Sequence, residues 1–227
     1  MFAAIPARYD LLNRLLTWGL DERWRRQAAR ECLRHAQGRV LDLACGTGDL
    51  ALHMARLSGP DLEVVGLDFA GPMLKVARAK AESAGLAGKV SFVHGDAANL
   101  PFPDGHFSAV GISFAFRNIT YRNPLRDRYL AEVGRVLAPG GRFVMVETSQ
   151  PRNPLLRAGF HMYLRLAVSG LGSLLSGHRG AYRYLAESAR RFYTPDEVAA
   201  LLKNAGFREV HTRPLLWGVA AVHVAER

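Results

Sequence analysis

The stretch Val40-Leu41-Asp42-Leu43-Ala44-Cys45-Gly46-Thr47-Gly48-Asp49-Leu50 decides the fold of this 227-residue chain. Its apolar first half predicts a buried parallel strand, and the Gly-x-Gly that follows predicts a tight turn. Apolar residues then recur at helical spacing, which predicts a helix over residues 49–57. A strand that leads through a glycine turn into a helix is typical of the loop beneath a bound nucleotide in an α/β sheet.

The rest of the chain alternates between strand and helix patterns. Strands are predicted at residues 39–43, 62–67, 90–94, 107–113, 142–147, 207–213 and 217–224, and helices at residues 72–84, 125–137 and 195–205. Pro139-Gly140-Gly141 is expected to close the helix before it, and Thr194-Pro195-Asp196-Glu197 has the pattern of a capping box. We therefore predict one Rossmann-like α/β domain with a doubly wound sheet of about seven strands. The sheet should be mostly parallel, with one antiparallel strand near the C-terminus and helices on both faces.

Two segments depart from this alternation. Residues 1–38 carry apolar positions at helical spacing on either side of Gly19, with a basic polar face, and we expect an N-terminal helical lid there. Residues 151–194 combine many arginines and apolar residues with one acid, Glu187, and we expect a helical insertion on the substrate side. Residues 39–150 would then form the cofactor-binding core, and residues 195–227 would complete the same domain.

The formal net charge of +10 indicates either an anionic partner or an arginine-rich composition. An acidic membrane surface and nucleic acid are the two anionic partners to consider. The 2 cysteines form neither a disulfide framework nor a metal-ligand pattern, so we expect a reduced compartment and no metal. The sequence has no signal-peptide pattern and no apolar run that could span a bilayer, which predicts a cytoplasmic protein. Its basic charge adds the expectation of peripheral contact with the inner face of the membrane.

The predicted turn and strand ends suit a ligand that has no phosphate. Gly46 and Gly48 leave room for a ligand near the backbone, whereas Asp49 places a negative charge where a phosphate would lie. S-adenosylmethionine fits these conditions. Asp68 ends the second strand, where a carboxylate can accept hydrogen bonds from ribose hydroxyls, and Asp96-Ala97 follow the third strand, near the expected adenine.

Several motifs in the sequence resemble class I S-adenosylmethionine methyltransferases. They are Leu41-Asp42-Leu43-Ala44-Cys45-Gly46-Thr47-Gly48, Gly66-Leu67-Asp68, Gly95-Asp96-Ala97, Leu100-Pro101-Phe102 and Arg135-Val136-Leu137-Ala138-Pro139-Gly140-Gly141. Three more motifs are similar to the ubiquinone/menaquinone biosynthesis C-methyltransferases: Arg8-Tyr9-Asp10-Leu11-Leu12-Asn13, Ser113-Phe114-Ala115-Phe116-Arg117-Asn118 and Tyr182-Arg183-Tyr184-Leu185-Ala186-Glu187-Ser188. The resemblance covers nearly the whole chain.

The resemblance implies S-adenosylmethionine-dependent methylation of a ring carbon in a polyprenyl hydroquinone. Demethylmenaquinol, converted to menaquinol, is the first candidate, and a benzoquinol of ubiquinone biosynthesis is the alternative. On the family pattern, Thr47, Asp68, Asp96-Ala97 and Ser113 contact the cofactor.

A ring carbon becomes nucleophilic when an adjacent hydroxyl ionises, so the site needs a base or a cation that stabilises the phenolate. Arg117 can supply a fixed charge, and Asn118 can orient the ring oxygen. Tyr9, from the predicted lid, is a third candidate, and His161 and His178 are candidate bases.

Two other functions would suit parts of the sequence. An RNA or DNA methyltransferase would explain the basic charge, but Ser113-Phe114-Ala115-Phe116 lacks the acid or Asn-Pro-Pro-aromatic pattern of amino-methylating enzymes. Neither cysteine lies nearby to attack a pyrimidine ring, so we expect no nucleic acid partner. A cofactor-binding module without catalytic activity remains open, as does a homodimer.

Overall fold

A computed structural model describes residues 14–171 and 186–227. The strands are β1 (Arg39–Leu43), β2 (Glu63–Asp68), β3 (Val90–His94), β4 (Phe107–Ser113), β5 (Leu137–Thr148), β6 (Val210–Leu215) and β7 (Ala220–Glu226). The helices are α1 (Leu20–Leu33), α2 (Asp49–Leu57), α3 (Gly71–Ser83), α4 (Phe116–Thr120), α5 (Arg126–Val136), α6 (Pro154–Tyr163) and α7 (Pro195–Asn204). A π-helical stretch, Leu164–Leu171, continues α6, and Leu216–Gly218 forms a short turn of 3₁₀-helix between β6 and β7.

The strands form one seven-stranded sheet in the order β3-β2-β1-β4-β5-β7-β6. The neighbours from β3 to β5 are parallel, and β7 runs antiparallel to both β5 and β6. The prediction of a mostly parallel sheet with one antiparallel strand near the C-terminus is therefore confirmed. The strand order reverses between β1 and β4, and ligands of such sheets bind in the crevice outside this point.

The strands bury side chains on both faces of the sheet, as their continuous apolar runs require. Leu41 of β1 packs on one face with side chains of α5 and α7, and Val40 packs on the other with side chains of α1 and α2. Successive side chains of a strand point to opposite faces, so one short strand supplies both cores. The predicted helices on both faces are thus present.

Helix α1 is built into this core. Gly19 has a left-handed backbone with φ 72° and separates α1 from the turn before it, as the sequence predicts. Trp24, Ala28 and Cys32 are buried on the face of α1 that packs against α2, β4 and β5. The part of the predicted lid that follows Gly19 therefore packs into the core of the sheet. The domain boundary after residue 38 stays a prediction.

The predicted boundary between α5 and β5 is wrong. Pro139-Gly140-Gly141 lies inside β5, which begins at Leu137 directly after α5, and does not follow the helix as a closing turn. Gly140 has φ 73°, and the pairing register between β4 and β5 shifts at this point. A Cβ on Gly141 would lie 2.8 Å from the Ala138 carbonyl oxygen, so only glycine lets the chain pass here. Helix α4, directly after β4, was not predicted.

Candidate active site

The turn after β1 contains two glycines that serve different purposes. Gly46 has φ 55°, and a Cβ built on it would meet open space. Gly48 has φ 82°, and its Cβ would lie 3.0 Å from Ala77 and from the ring of Phe92. Gly46 therefore leaves room for a ligand, whereas Gly48 is required by the packing of α3 and β3 beneath the turn.

Asp42 lies buried in β1 under the same turn. Its Oδ2 accepts a hydrogen bond of 2.8 Å from the backbone amide of Ala51, so it caps the first turn of α2. Its Oδ1 is buried and has no hydrogen-bond partner in the described chain. Burial raises the pKa of Asp42 well above its usual value, although the bond from Ala51 acts in the opposite direction. No role was predicted for Asp42 from the sequence, although a carboxyl group within an apolar strand indicates a functional or capping role.

Asp68 connects the loops that follow β1 and β2. Its Oδ2 accepts from the amide of Gly46 at 2.8 Å, and its Oδ1 accepts from the amide of Ala70 at 2.7 Å. These two bonds hold the carboxylate at the carboxyl edge of the sheet while each oxygen keeps a further lone pair. Asp68 is therefore rigid and still able to accept hydrogen bonds from a ligand.

The side chains of Thr47 and Asp49 are directed toward α3. Lys80 Nζ donates to Thr47 Oγ1 at 3.2 Å and pairs with the Asp49 carboxylate. Arg25 Nη1 lies 3.9 Å from the same carboxylate. The charge of Asp49 is thus compensated by two cations, which weakens the expectation that this residue repels phosphate.

The remaining predicted cofactor residues lie at the ends of β3 and β4. Asp96 Oδ1 accepts from the amide of Ala98 at 2.8 Å, which shapes the loop that contains Ala97. Ser113 ends β4, where it pairs with Val146 of β5. Because β1 to β4 are parallel neighbours, the predicted cofactor residues lie along one edge of the sheet.

A cavity of about 480 Å³ lies beside this edge, at the carboxyl ends of β4 and β5. Its wall is largely apolar and comes from segments far apart in the sequence: Leu16, Trp18, Leu20, Trp24, Phe114, Leu155, Leu156, Phe160, Tyr163, Leu164, Val168, Leu216, Trp217 and Val219. The Tyr163 hydroxyl donates to the Leu16 carbonyl and ties α6 to the segment before α1. We call this cavity the apolar pocket.

Phe114 stands between the edge of the sheet and the apolar pocket. It has φ 54°, a left-handed backbone that is uncommon for a bulky residue, and its amide donates to the Val146 carbonyl at 2.8 Å. Its ring lies 6.3 Å from that of Trp24, and the Arg25 guanidinium lies over it at 5.2 Å. The backbone turn therefore directs an aromatic ring into the pocket directly after the strand.

Arg117 lines the apolar pocket and forms a buried ion pair. Its Nη1 lies 2.9 Å from Glu147 Oε1, and the two side chains are 2% and 1% exposed. The same nitrogen donates to Thr148 Oγ1 at 2.8 Å, and the backbone amide of Arg117 donates to Glu147 Oε2 at 3.1 Å. Arg117 Nε and the neighbouring Asn118 Oδ1 are both buried and have no hydrogen-bond partner within residues 14–171 and 186–227. The charge of Arg117 is thus compensated by Glu147, while its Nε is unpaired among these residues.

A second buried ion pair lines the pocket from α1. Asp21 Oδ2 accepts from Arg25 Nη1 at 2.6 Å, and Asp21 Oδ1 accepts from Thr17 Oγ1 at 2.7 Å. Burial alone would raise the pKa of Asp21, but the charge of Arg25 and these hydrogen bonds outweigh it and lower the pKa. The i,i+4 spacing of an acid and an arginine on a helix was the sequence signal for this pair.

His161 is bonded to protein groups. Its Nε2 lies 2.8 Å from Gln150 Oε1, and the Gln150 amide donates to the Ala189 carbonyl. Burial, together with Arg190 and Arg157, lowers the pKa of His161. Tyr9 and His178, the other predicted acid-base candidates, lie outside the described residues.

The family model of the ubiE/COQ5 methyltransferase family matches residues 1–227. The chain belongs to this family. It is 49% identical over 227 residues to a demethylmenaquinone methyltransferase of Thermus thermophilus, with 100% of both chains covered. It is 40% identical over 228 residues to a ubiquinone/menaquinone biosynthesis C-methyltransferase, UbiE, of Geobacter sulfurreducens, which covers 100% of this chain and 87% of that protein.

Solved structures support the fold of this methyltransferase. A SAM-dependent methyltransferase from Aquifex aeolicus superposes with a TM-score of 0.59 at 19% identity, over 84% of this chain and 82% of that one. Within the described residues of the methyltransferase, every helix is too short or too polar to cross a membrane. The same part of the chain has no group of three or more His, Cys, Asp or Glu side chains arranged to hold a metal ion.

The predicted residues of the methyltransferase fall into two groups. Gly46, Thr47, Gly48, Asp68, Asp96, Ala97 and Ser113 lie at or just after the ends of β1 to β4, and Arg117 and Asn118 lie on α4, from which Arg117 lines the apolar pocket. Sequence reasoning missed the partners of the second group, Glu147 and Thr148, because they end a strand that otherwise reads as core. It also missed the left-handed backbone at Phe114, for which the residue type is no signal.

Proposed function

We propose that this methyltransferase transfers a methyl group from S-adenosylmethionine to a ring carbon of a polyprenyl hydroquinone. Demethylmenaquinol is the first candidate substrate, on the name of the Thermus thermophilus relative at 49% identity. The observation that carries the proposal is the position of the apolar pocket: it lies at the ends of β4 and β5, on the same edge of the sheet as Asp68 and Asp96, with the end of β1 between them. A polar cofactor and an apolar acceptor can therefore meet near Phe114.

The residues at the polar edge fit the cofactor. S-adenosylmethionine supplies a methyl group on a positively charged sulfur, and it carries an ammonium group and two ribose hydroxyls. Asp68 has free lone pairs for the ribose hydroxyls, and Asp42 has a buried oxygen without a partner in the described chain that a cation would compensate. Gly46 leaves open space for the amino acid end, and Asp96-Ala97 would contact the adenine.

The residues of the apolar pocket fit the acceptor ring. The aromatic wall excludes water, so a bond to a developing phenolate is stronger there than in solvent. Arg117 is held in place by Glu147, and its Nε, which has no partner among the described residues, can donate to the ring oxygen. Asn118 Oδ1, also without a partner in that part of the chain, can accept a hydrogen bond from the ring hydroxyl and so orient it. The ring carbon beside that oxygen then carries the electron density that methyl transfer requires.

The direct test measures transfer of label from S-adenosylmethionine labelled in its methyl group to demethylmenaquinol with a short isoprenoid tail. We expect methylated naphthoquinol with a mass gain of one methyl group. Parallel assays with a benzoquinol and with bulk RNA separate the alternatives, because label in either of these and none in naphthoquinol would contradict the proposal. Cofactor binding without transfer to any acceptor would favour the non-catalytic module.

A further inference from the structure

We infer that the mouth of the apolar pocket is the surface by which this methyltransferase docks on an anionic lipid bilayer. The inference rests on the proposed function, since a polyprenyl substrate resides in a membrane. The docking surface consists of six exposed apolar side chains, which we call the rim: Leu15, Trp18, Leu155, Met162, Leu166 and Trp217.

The rim is apolar and unusually open to solvent. Trp18 is 85% exposed, Leu155 is 81% exposed and Trp217 is 77% exposed. These three residues also line the apolar pocket, so the exposed rings and the buried cavity form one continuous apolar surface. Such a surface in water marks an interaction site.

The rim is assembled from three separate segments of the chain. Trp18 precedes α1, Leu155 lies in the first turn of α6, and Trp217 lies in the turn between β6 and β7. Met162 and Leu166 are exposed one helical turn apart, at the end of α6 and in the stretch that follows it. Only the fold brings Trp18, Leu155 and Trp217 to the same cavity.

The backbone places both tryptophans outward at an energetic cost. Trp18 has φ 55° and Trp217 has φ 54°, left-handed conformations that are outliers for bulky residues. Local hydrogen bonds hold the first turn, where the Gly19 amide donates to the Arg14 carbonyl at 2.8 Å. A strained backbone that exposes a large apolar ring is explained by a function of that ring at an interface.

The charge on the segments that carry the rim is basic, although Asp21 and Glu22 follow the first of them directly. The segments that carry it, residues 14–20, 151–171 and 213–220, contain no Asp or Glu. They contain the arginines Arg14, Arg152, Arg157, Arg165 and Arg213. Arg14 and Arg152 form exposed pairs with Glu22 and Asp196, but such pairs are weak and leave the arginines free to exchange partners.

This combination matches the interface of an anionic membrane. Tryptophan prefers the boundary between headgroups and acyl chains, and clustered arginines are attracted to acidic headgroups. The rim would enter the headgroup region with the mouth of the pocket facing the bilayer. An isoprenoid tail could then remain in lipid while its ring enters the pocket.

The binding test uses the full chain and vesicles of phosphatidylcholine, with or without phosphatidylglycerol. We expect cosedimentation with the anionic vesicles, and at least a tenfold loss of affinity in the variant Trp18→Ala/Trp217→Ala. The matched control is Leu125→Ala, because Leu125 is an exposed apolar residue before α5 and lies outside the rim. Equal binding by the double variant and this control would overturn the inference.

Tryptophan fluorescence provides a second readout. Of the three tryptophans, Trp24 is buried whereas Trp18 and Trp217 are exposed, so anionic vesicles should shift the emission to shorter wavelength. The shift should be absent in Trp18→Ala/Trp217→Ala, which keeps Trp24 as a reference for folding. A shift that persists in this variant would contradict the inference.

Two further variants test the contribution of the rim arginines to vesicle binding and of the rim side chains to methylation. Arg165→Gln should weaken anionic-vesicle binding more than Arg208→Gln, a substitution of an exposed arginine outside the rim. Met162→Gln/Leu166→Gln changes rim positions outside the pocket lining, so it should slow methylation of a quinol in vesicles but not of a soluble short-tailed quinol.

Vesicle binding through the rim without methylation of any quinol would refute the proposed function and leave the docking surface intact. Conversely, a stable dimer that dissociates in Trp18→Ala/Trp217→Ala, together with no vesicle binding, would overturn the inference in favour of a second copy of the chain.

Discussion

The polar edge formed by the ends of β1 to β3 and the apolar pocket at the ends of β4 and β5 hold their charged groups in different ways. At the polar edge, Asp42 and Asp68 are held by backbone amides and keep oxygen lone pairs for a ligand. In the apolar pocket, Asp21 and Glu147 are each held by an arginine side chain. The first arrangement leaves carboxyl oxygens that can accept hydrogen bonds from a polar ligand, and the second compensates each carboxylate beside an apolar cavity.

On the proposed function, this difference would let one sheet bind two ligands of opposite character. The strand order reverses between β1 and β4, so the cofactor and the acceptor would each use their own set of strands. Phe114 lies at the boundary, where its ring meets Trp24 and Arg25. The following predictions test this division, from the largest expected effect to the smallest.

Arg117→Ala should have the largest effect, because it leaves the Glu147 carboxylate buried without its ion-pair partner. We expect the free energy of unfolding to fall by about 3–5 kcal/mol and turnover to fall roughly 100- to 1,000-fold. Cofactor affinity, measured by calorimetry on the folded fraction, should be nearly unchanged. Unchanged turnover would remove Arg117 from the reaction.

The double variant Arg117→Met/Glu147→Gln separates stability from chemistry. It removes both charges of the buried pair, so most of the lost stability should return. Turnover should stay low, because the donor to the ring oxygen is still missing. Recovery of turnover together with stability would show that the pair is purely structural.

Asp21→Ala should be the next largest change, since it removes the charged partner of Arg25 within the pocket wall. We expect a loss of about 1.5–3 kcal/mol at neutral pH. The pKa of Asp21 is lowered in the folded state, so its contribution is present above the unfolded pKa and is lost as the pH falls through the folded pKa. The unfolding free energies of Asp21→Ala and the parent protein, measured with urea, should therefore converge as the pH falls. A difference in unfolding free energy that does not shrink in acid would contradict this.

Asp68→Ala should weaken S-adenosylmethionine binding by roughly 1 to 3 kcal/mol, the cost of lost hydrogen bonds to a charged group. The loops after β1 and β2 also lose their link through the amides of Gly46 and Ala70. The matched control is Asp104→Asn, an exposed acid paired with Arg135 away from the site. Calorimetry that finds equal affinity in Asp68→Ala and the control would refute the assignment.

Asp42→Asn should have the smallest effect on stability and the opposite sign to Asp21→Ala. Because burial raises the pKa of Asp42 in the folded state, the unfolding free energy falls as the pH rises from the unfolded pKa through the folded pKa. The amide should remove this penalty, so the variant should be more stable than the parent protein at higher pH. Urea unfolding at acidic and alkaline pH checks this, and cofactor affinity should fall in the same variant.

Much of the polar edge could be predicted from the sequence. Apolar runs with period two or with no interruption mark strands, and parallel strands bring their carboxyl ends to one edge, so the positions of Asp68 and Asp96 follow from local patterns. The capping box at Thr194 and Glu197 was also predicted from the sequence and is present, since it depends on four consecutive residues. The start of β5 could not be predicted from the sequence, because Pro139-Gly140-Gly141 fits a helix end as well as a bulged strand.

The ion pair between Arg117 and Glu147 in the apolar pocket could not be predicted from local sequence patterns. Arg117 and Glu147 are 30 residues apart, and β4 and β5 must pair before the two side chains meet. The sequence predicted that Arg117 supplies a fixed charge but gave no partner for it, because Glu147 belongs to another element. The compensation of Asp49 by Lys80 was missed for the same reason.

The sequence by itself determined the alternation of strands and helices, the family and the positions of Asp68 and Asp96, because these depend on periodicity and on motifs a few residues long. Only the tertiary structure decided which charges are compensated, how Phe114 enters the pocket and that Trp18 and Trp217 share one exposed rim. The physical reason is distance along the chain: these contacts join segments that meet only when β7 pairs with β5 and α1 packs against the sheet.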